Sequence, residues 1–396
     1  VNSSPEGTGP IVGIVGGGQL ARMLAEAATP LGIHVRVLAA PGDEGAREVA
    51  PDVVVGSPDD PAALASFAAG VHVLTFDHEN VDHEALRRIE ADGTPVRPGV
   101  RTLEYSDKAH QRRAFAEAGL PVPPFVVVDP RTETDALSVA SAFAAQHGDP
   151  ADGGRVVAKA SRGGYDGRGV WMLRSDELEG FLSAYDGAPL VLEPLLPLDR
   201  EVAVLVARSP SGEVATWPVV ETVQVDGMCD EVLLPAPLDD ELRQRAAAVG
   251  QAVAEVVDAV GVIAIELFVS GGELLVNEIA PRVHNSGHLT IEACATSQFE
   301  QHLRAILDWP LGPTDALAPA AVMANVVGGA DGDPRERQAA ALAQVPGAHV
   351  HLYGKTSRPG RKLGHVTVTG TDLTSCRSLA GVAADVLSGV EGSTDA

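Results

Sequence analysis

The sequence predicts an α/β domain at the N-terminus followed by an α+β body, and three observations support this. The stretch IVGIVGGGQLARMLAEAATPLGIHVRVL reads as strand, glycine turn, helix and strand, the pattern of an open parallel sheet. Beyond residue 106 strands come in pairs around glycine turns, RVVAKAS with GVWMLRS and VIAIELFVS with GELLVNEIA, the pattern of antiparallel hairpins. The 396 residues, 45% hydrophobic and 21% charged, suffice for two or three domains with sizeable cores.

In chain order, the lead-in VNSSPEGTGP is polar and lacks the basic-then-apolar pattern of a secretory signal. Ile11 to Val15 form a short apolar strand, Gly16 to Gly18 the turn, and Gln19 to Ala28 a helix that Pro30 stops. VHVLTFDHEN adds a buried strand with a polar end. Residues 10–106 therefore make the parallel α/β domain. KAHQRRAFAEAGL is a linker helix. VVVDP, the helix ALSVASAFAAQHG, the hairpin RVVAKAS/GVWMLRS with its mobile glycine-rich loop, and LVLEPLL make a small lobe, 107–198 with the linker. REVAVLVARS, EVATWPVVETVQ, a helix over about 239–260 and the pair VIAIELFVS/GELLVNEIA make a larger lobe, 199–310. Residues 311–390 hold short strands, AHVHLYG and LGHVTVTG, and a last helix.

Composition narrows the function. A net charge of -25 repels phosphate backbones and argues against general nucleic-acid binding, although a local basic cluster can still hold a small phosphate. No apolar run approaches the roughly 20 residues of a membrane span. Cys229, Cys294 and Cys376 lie far apart without metal-ligand spacing, as suits a reducing cytoplasm.

The glycine turn GIVGGGQL invites a dinucleotide reading, but the next strand, HVRVL, runs into Ala39, Ala40 and Pro41 with no acid directly at its end. Tight packing, or a site for another phosphate, fits better. KASRGGYDGRG places Lys159 at a strand end before Gly163, Gly164, Gly167 and Gly169, with Tyr165, Asp166 and Arg168 in the same turn. Such a loop can cover a polyphosphate with its amides while the lysine adds charge; the bland alternative is a flexible hairpin. Glu266 and Glu278 lie on two strands joined at Gly271-Gly272, each about six residues from the turn, so they can share a face. With Asn277 they offer hard oxygen donors for Mg²⁺, unless they are edge residues facing solvent. Glu193 and Glu201 flank a hinge and could take sugar hydroxyls of a nucleotide, with Pro194, Leu195 and Leu196 against its base. PRVHNSGH then crowds polar side chains beside the metal carboxylate, and the Arg282 fork suits a small planar oxyanion. Lys355, Arg358, Arg361 and Lys362 gather around Pro359-Gly360, a cationic turn that an anion would relieve.

The glycine-rich hairpin with its lysine, the hinge glutamate and the Glu…Asn-Glu pair resemble the ATP-grasp superfamily. GGGQLARM, GGYDGRG, NEIAPRVHNSGH and RPGRKLGH resemble, within it, the ligases that carboxylate 5-aminoimidazole ribonucleotide in de novo purine synthesis. The likeness covers about residues 11–385. It implies a pre-ATP-grasp domain, a small mobile lobe and a larger C-terminal lobe. It implies that ATP, bicarbonate and the ribonucleotide give the N5-carboxylated product, ADP and phosphate through carboxyphosphate, with Mg²⁺ (or Mn²⁺) as cofactor and a homodimer as the assembly. Carried over by position, Lys108 and Lys159 touch ATP phosphates under the loop Gly163 to Gly169, and Glu193 to Leu196 and Glu201 hold the adenosine. Glu266 and Glu278 ligate the metal beside Asn277. Arg282, His284 and Asn285 position bicarbonate. Gln19, Glu79, Tyr165, Asp166, Lys355, Arg358 and Arg361 surround the ribonucleotide, with the last 80 residues or so completing that site. A general base, if one is needed, is His284 or Asp166. Two departures stand out: Asp77-His78 where relatives often have Glu-Phe, and Gln224 where a histidine is common. The rival readings are a ligase activating formate or an amino acid, a nucleotide-sensing module without turnover, and a dinucleotide oxidoreductase.

Overall fold

The computed structural model describes residues 9–164, 168–329 and 332–389; Tyr165, Asp166 and Gly167 lie outside them. Three sheets organise the chain. The first is parallel, in the order Asp52–Val55, His34–Ala39, Ile11–Val15 and Val73–Phe76. Its central strands are almost continuously apolar because helices cover them. The helix Gln19–Ala28 buries Leu20, Ala21, Met23, Leu24, Ala25 and Ala28.

The small-lobe sheet is antiparallel, in the order Val126–Val128, Leu190–Pro194, Val156–Ala160 and Val170–Leu173. The third sheet has nine strands. Its main path runs Glu273–Ala280, Gly261–Ser270, Arg200–Arg208, Val220–Val225, Met228–Leu234, Ala320–Val327, Lys362–Gly370 and His349–Leu352, with Val214–Thr216 beside Arg200–Arg208. The strands after residue 310 thus extend the large-lobe sheet and make none of their own. Their bridge is Ala320–Val327, paired with Met228–Leu234 on one side and Lys362–Gly370 on the other.

One core crosses the boundary between the N-terminal domain and the large lobe: Val12, Leu24 and Val37 share a cluster with Leu205, Phe299 and Met323. A buried histidine pins the same junction. His302 Nε2 meets Thr75 Oγ1 at 2.8 Å, and its Nδ1 accepts from the Val262 amide at 3.0 Å. Burial takes its pKa down to about 4, so the ring is a neutral connector near pH 7.

The glycine turn packs internally. Gly16 has φ +98°, and a Cβ on Gly17 would come 2.6 Å from that of Ala39. The Gly17 amide donates to Asp43 Oδ2 at 3.0 Å and that of Gly18 to Asp77 Oδ2 at 2.5 Å. Two amides that a pyrophosphate would need are therefore satisfied by carboxylates, which favours the close-packing reading over the dinucleotide one.

Candidate active site

A cleft of about 1740 Å³ opens between the small and large lobes. Its floor is the hairpin Gly261–Ser270/Glu273–Ala280, turned at Gly271 (φ +58°) and Gly272 (φ +77°), a turn in which both central residues need positive φ. Near the turn, Ser270 faces Glu273 and Leu267 faces Val276. That register would put Asn277 opposite Glu266. A bulge after Glu266 shifts it, so Glu266 faces Glu278. Arg112, which sequence reasoning did not single out, holds this irregular backbone. Its guanidinium donates to the Val276 carbonyl at 2.5 Å and the Asn277 carbonyl at 2.8 Å.

The two carboxylates line the cleft, their side chains 21% (Glu266) and 36% (Glu278) exposed. The Lys108 ammonium bonds Glu278. Burial raises the pKa of Glu266 although Lys108 and Lys362 oppose the shift. Burial, and then the Glu266 charge, push Glu201 up to about 7. Crowded carboxylates of this kind gain from a divalent cation between them. Among the described residues no group of three or more acidic, His or Cys side chains could hold a metal alone. Two hard carboxylates fit Mg²⁺, which fills its remaining positions with phosphate oxygens and water.

On the small-lobe wall, Glu193 lines the cleft with its carboxylate beside two cations. It is buried, 2.5 Å from Arg112 Nη2 and 2.8 Å from Lys159 Nζ. Burial alone would raise its pKa, but the two cations hold it below the usual carboxylate range. Lys159 also donates to Asn277 Oδ1 at 2.9 Å and lies 5.3 Å from the Phe268 ring centre. The Glu193 side chain thus helps aim Lys159. Pro194, Leu195 and Leu196 line the cleft together with Val170 and Met172 of the hairpin, and the exposed Met172 and Leu195 give an apolar surface suited to a flat base. Gly163, Gly164, Arg168, Glu201 and Gln224 also border the cleft, and Gly169 closes the glycine-rich turn at φ +75°.

The polar loop is partly self-supporting. Gln298 brackets it, accepting from the His284 amide at 2.9 Å and donating to the His284 carbonyl at 2.7 Å. Arg282 Nε donates to Glu79 Oε2 at 2.7 Å. Burial pushes Glu79 up, and Arg282 outweighs it, leaving a pKa of about 2. Asp77 points the other way, into the glycine turn, so Glu79 is the carboxylate that faces the cleft. His284 Nε2 lies 3.5 Å from Glu266 Oε1, and its Nδ1 2.9 Å from Ser286 Oγ. Burial and then the Arg282 charge depress His284 to about 3, so it is a neutral hydrogen-bonding group and a weak base. The other candidate base, Asp166, lies outside the described residues. Asn285 is buried beneath the loop.

A second cluster sits at the end of the parallel sheet. The Lys355 ammonium bonds Gln19 and lies 5.5 Å from the Tyr353 ring centre. Burial, then Arg361, lower its pKa to about 8. Arg361 Nη1 donates to Glu44 Oε2 at 2.7 Å. Hydrogen bonds from Thr356, with help from Arg361, hold Glu44 at about 2. Arg358 is exposed on the same turn. Lys362, not Lys355, Arg358 or Arg361, lines the main cleft.

Three family profiles match in chain order: the ribonucleotide synthetase preATP-grasp domain over 10–107, the ATP-grasp domain over 113–299, and the phosphoribosylaminoimidazole carboxylase C-terminal domain over 321–379. The chain is 47% identical over 390 residues to N5-carboxyaminoimidazole ribonucleotide synthase of Mycobacterium tuberculosis, covering 96% of this chain and 88% of that protein. Among solved structures it resembles N5-carboxyaminoimidazole ribonucleotide synthetase of Thermus thermophilus (39% identity, TM-score 0.83, 96% of this chain and 99% of that one). It also resembles the Aspergillus clavatus synthase in complex with ADP and 5-aminoimidazole ribonucleotide (32% identity, TM-score 0.86, 97% of this chain and 100% of that one).

Proposed function

The chain belongs to the N5-carboxyaminoimidazole ribonucleotide synthase family of ATP-grasp ligases, and from that premise we propose how its own side chains divide the work. The reaction is ATP-dependent carboxylation of 5-aminoimidazole ribonucleotide in purine biosynthesis. The observation that carries the residue roles is the facing pair Glu266 and Glu278 with Lys108 and Lys159 beside them.

Bicarbonate is a poor electrophile until phosphorylation of one oxygen makes it a mixed anhydride. Transfer of the γ-phosphoryl group needs positioning and charge neutralisation more than covalent help. Lys108 and Lys159 supply cationic charge at the phosphates. Glu266 and Glu278 would hold Mg²⁺, which when bound screens the phosphate charge. Arg282, fixed by Glu79, holds the bicarbonate oxygens, and neutral His284 donates or accepts a hydrogen bond without repelling the anion. The glycine-rich hairpin covers the mixed anhydride and keeps water from it. The ribonucleotide enters from the side of Gln19 and Lys355, and its amine attacks the activated carbon. We place the enzyme in the cytoplasm as a homodimer, an assembly that sedimentation equilibrium checks.

The test is ADP formation with each acid supplied in turn. It should require bicarbonate, rise with the ribonucleotide, and stop when CO₂ is rigorously removed. Full activity in CO₂-free buffer, or activity that needs formate, would overturn the reading.

A pH prediction follows from Lys355. Its ammonium form binds the 5′-phosphate and is populated below about pH 8. KM for the ribonucleotide should therefore rise above that pH; KM for ATP should rise there too, because burial and then Lys159 lower Lys108 to about 8, so the variants at Lys355 isolate the ribonucleotide effect. Lys355→Ala should raise the ribonucleotide KM about ten- to hundredfold, the worth of one charge-assisted hydrogen bond of roughly 1.5 to 3 kcal/mol. Lys355→Arg should abolish the alkaline rise. An unchanged KM in Lys355→Ala moves the phosphate elsewhere.

A further inference from the structure

Beneath the PRVHNSGH loop lies a buried polar layer. Its floor is one face of the nine-stranded sheet, where His351, His365 and Asn325 occupy facing positions on three adjacent strands. Thr367, two residues along from His365, shares that face. The rings of His351 and His365 stack with centres 4.6 Å apart, and that of His288 lies 5.0 Å from His365. His288, His365, Thr367 and Asn325 are all at most 3% exposed. The layer has two ends. At one, Asn325 Nδ2 donates to the Cys229 carbonyl at 2.9 Å, and Cys229 and Asn285 both line the active cleft. At the other, His351 Nε2 meets Glu292 Oε1 at 2.6 Å, and His351 lines a second cavity of about 300 Å³.

Among the described residues, twelve buried side-chain nitrogen and oxygen atoms make no hydrogen bond, and seven belong to this layer: both amide atoms of Asn285, Nε2 of His288 and of His365, Oδ1 of Asn325, Oγ1 of Thr367 and Oε2 of Glu292. The Asn285 side chain reaches the Cys229 sulfur, a weak acceptor. Buried polar atoms are nearly always satisfied, so seven orphans in one connected layer point to ordered water, which bonds about three such groups per molecule. No described group of these side chains could hold a metal.

Carboxylation makes a proton. As the amine attacks, the N–C bond forms and the C–O bond to the phosphoryl group breaks. The electron pair leaves on phosphate, and one N–H proton must leave the nitrogen. A site that protects a water-sensitive anhydride needs an internal route for it. We propose that this layer holds a string of water molecules that carries the proton from Asn285 past Asn325 and His365 to His351 and Glu292. The proton part rests on the carboxylation reading; the water part does not. An imidazole has one donor and one acceptor nitrogen and can relay without storing charge, and burial keeps His288 and His365 far below their usual pKa.

Two measurements test the two parts separately. Thr367→Val is isosteric. If water bonds the Thr367 hydroxyl, the variant melts at a lower temperature; if the layer is dry, removing an orphan hydroxyl raises the melting temperature, and the proposal falls. Asn325→Leu keeps the branching and plugs the layer with a larger, apolar side chain. In single turnovers followed with a pH indicator, wild type should release the proton in step with phosphate. The plugged variant should show proton release lagging by roughly tenfold or more, and added imidazole buffer should shorten the lag. His351→Gln, at the half-exposed outer end, gives the same lag should Asn325→Leu fail to fold. Proton and phosphate in step in a folded plugged variant would refute the route. No bicarbonate-dependent ADP formation in wild type would instead overturn the carboxylation reading, leaving the Thr367→Val comparison to decide whether the layer is wet.

Discussion

Glu278→Gln is expected to lower turnover by roughly two to three orders of magnitude, the usual effect of removing one preorganised charge-stabilising group from a transition state, while the protein stays folded. The carboxylate faces Glu266 across the hairpin and touches the Lys108 ammonium. It is 36% exposed, so losing its ion pair should alter stability by less than about 1 kcal/mol. An amide keeps the shape but loses the charge that would draw a divalent cation between the strands. The activity that remains should rise with Mg²⁺ to concentrations where wild type is saturated. Phosphate release titrated with Mg²⁺, beside a thermal melt, is the measurement. Near-wild-type rates at low Mg²⁺ would show that Glu278 is no ligand.

Counting from the Gly271-Gly272 turn put Glu266 and Glu278 at similar distances, and the structure does bring them face to face. The count alone does not explain it. With Ser270 opposite Glu273, an unbroken ladder would pair Glu266 with Asn277, and Glu278 would turn to the other face. The bulge restores the pair, and Arg112, over a hundred positions away in sequence, holds the carbonyls there. Nothing local to the hairpin announces that contact. The central strand Ala320–Val327 is not legible in the sequence for a different reason. AAVMANVV is apolar throughout, without the alternation that marks a half-covered strand, because it is buried on both faces. Motifs carrying charge and glycine in short spacings were readable. Long-range partners, such as Arg112 for Glu193 or Glu79 for Arg282, were not, since they depend on how lobes close on one another.

Glu193→Ala should be the most damaging single change to the small lobe. The carboxylate is the anion between two cations, Arg112 and Lys159, and is almost fully buried. Removing one member of a buried ion-pair set leaves the others uncompensated, a loss of about 3 to 5 kcal/mol. Glu193→Gln, which keeps the shape, should lose less. Both variants should raise KM for ATP, because Lys159 no longer has the anchor that sets its reach to Asn277. The pH dependence separates charge from packing. Glu193 has a folded-state pKa below its ordinary value of 4.5, so its contribution is fully present above that value and is lost as pH falls through the lower, folded-state pKa. The stability gap between wild type and Glu193→Gln should therefore hold steady through neutral pH and close in acid. Urea melts from neutral pH down through the carboxylate range measure it. A gap that persists unchanged into strong acid would mean that Glu193 acts through packing alone, and equal urea midpoints at neutral pH would mean that the buried charge set contributes nothing to holding the small lobe.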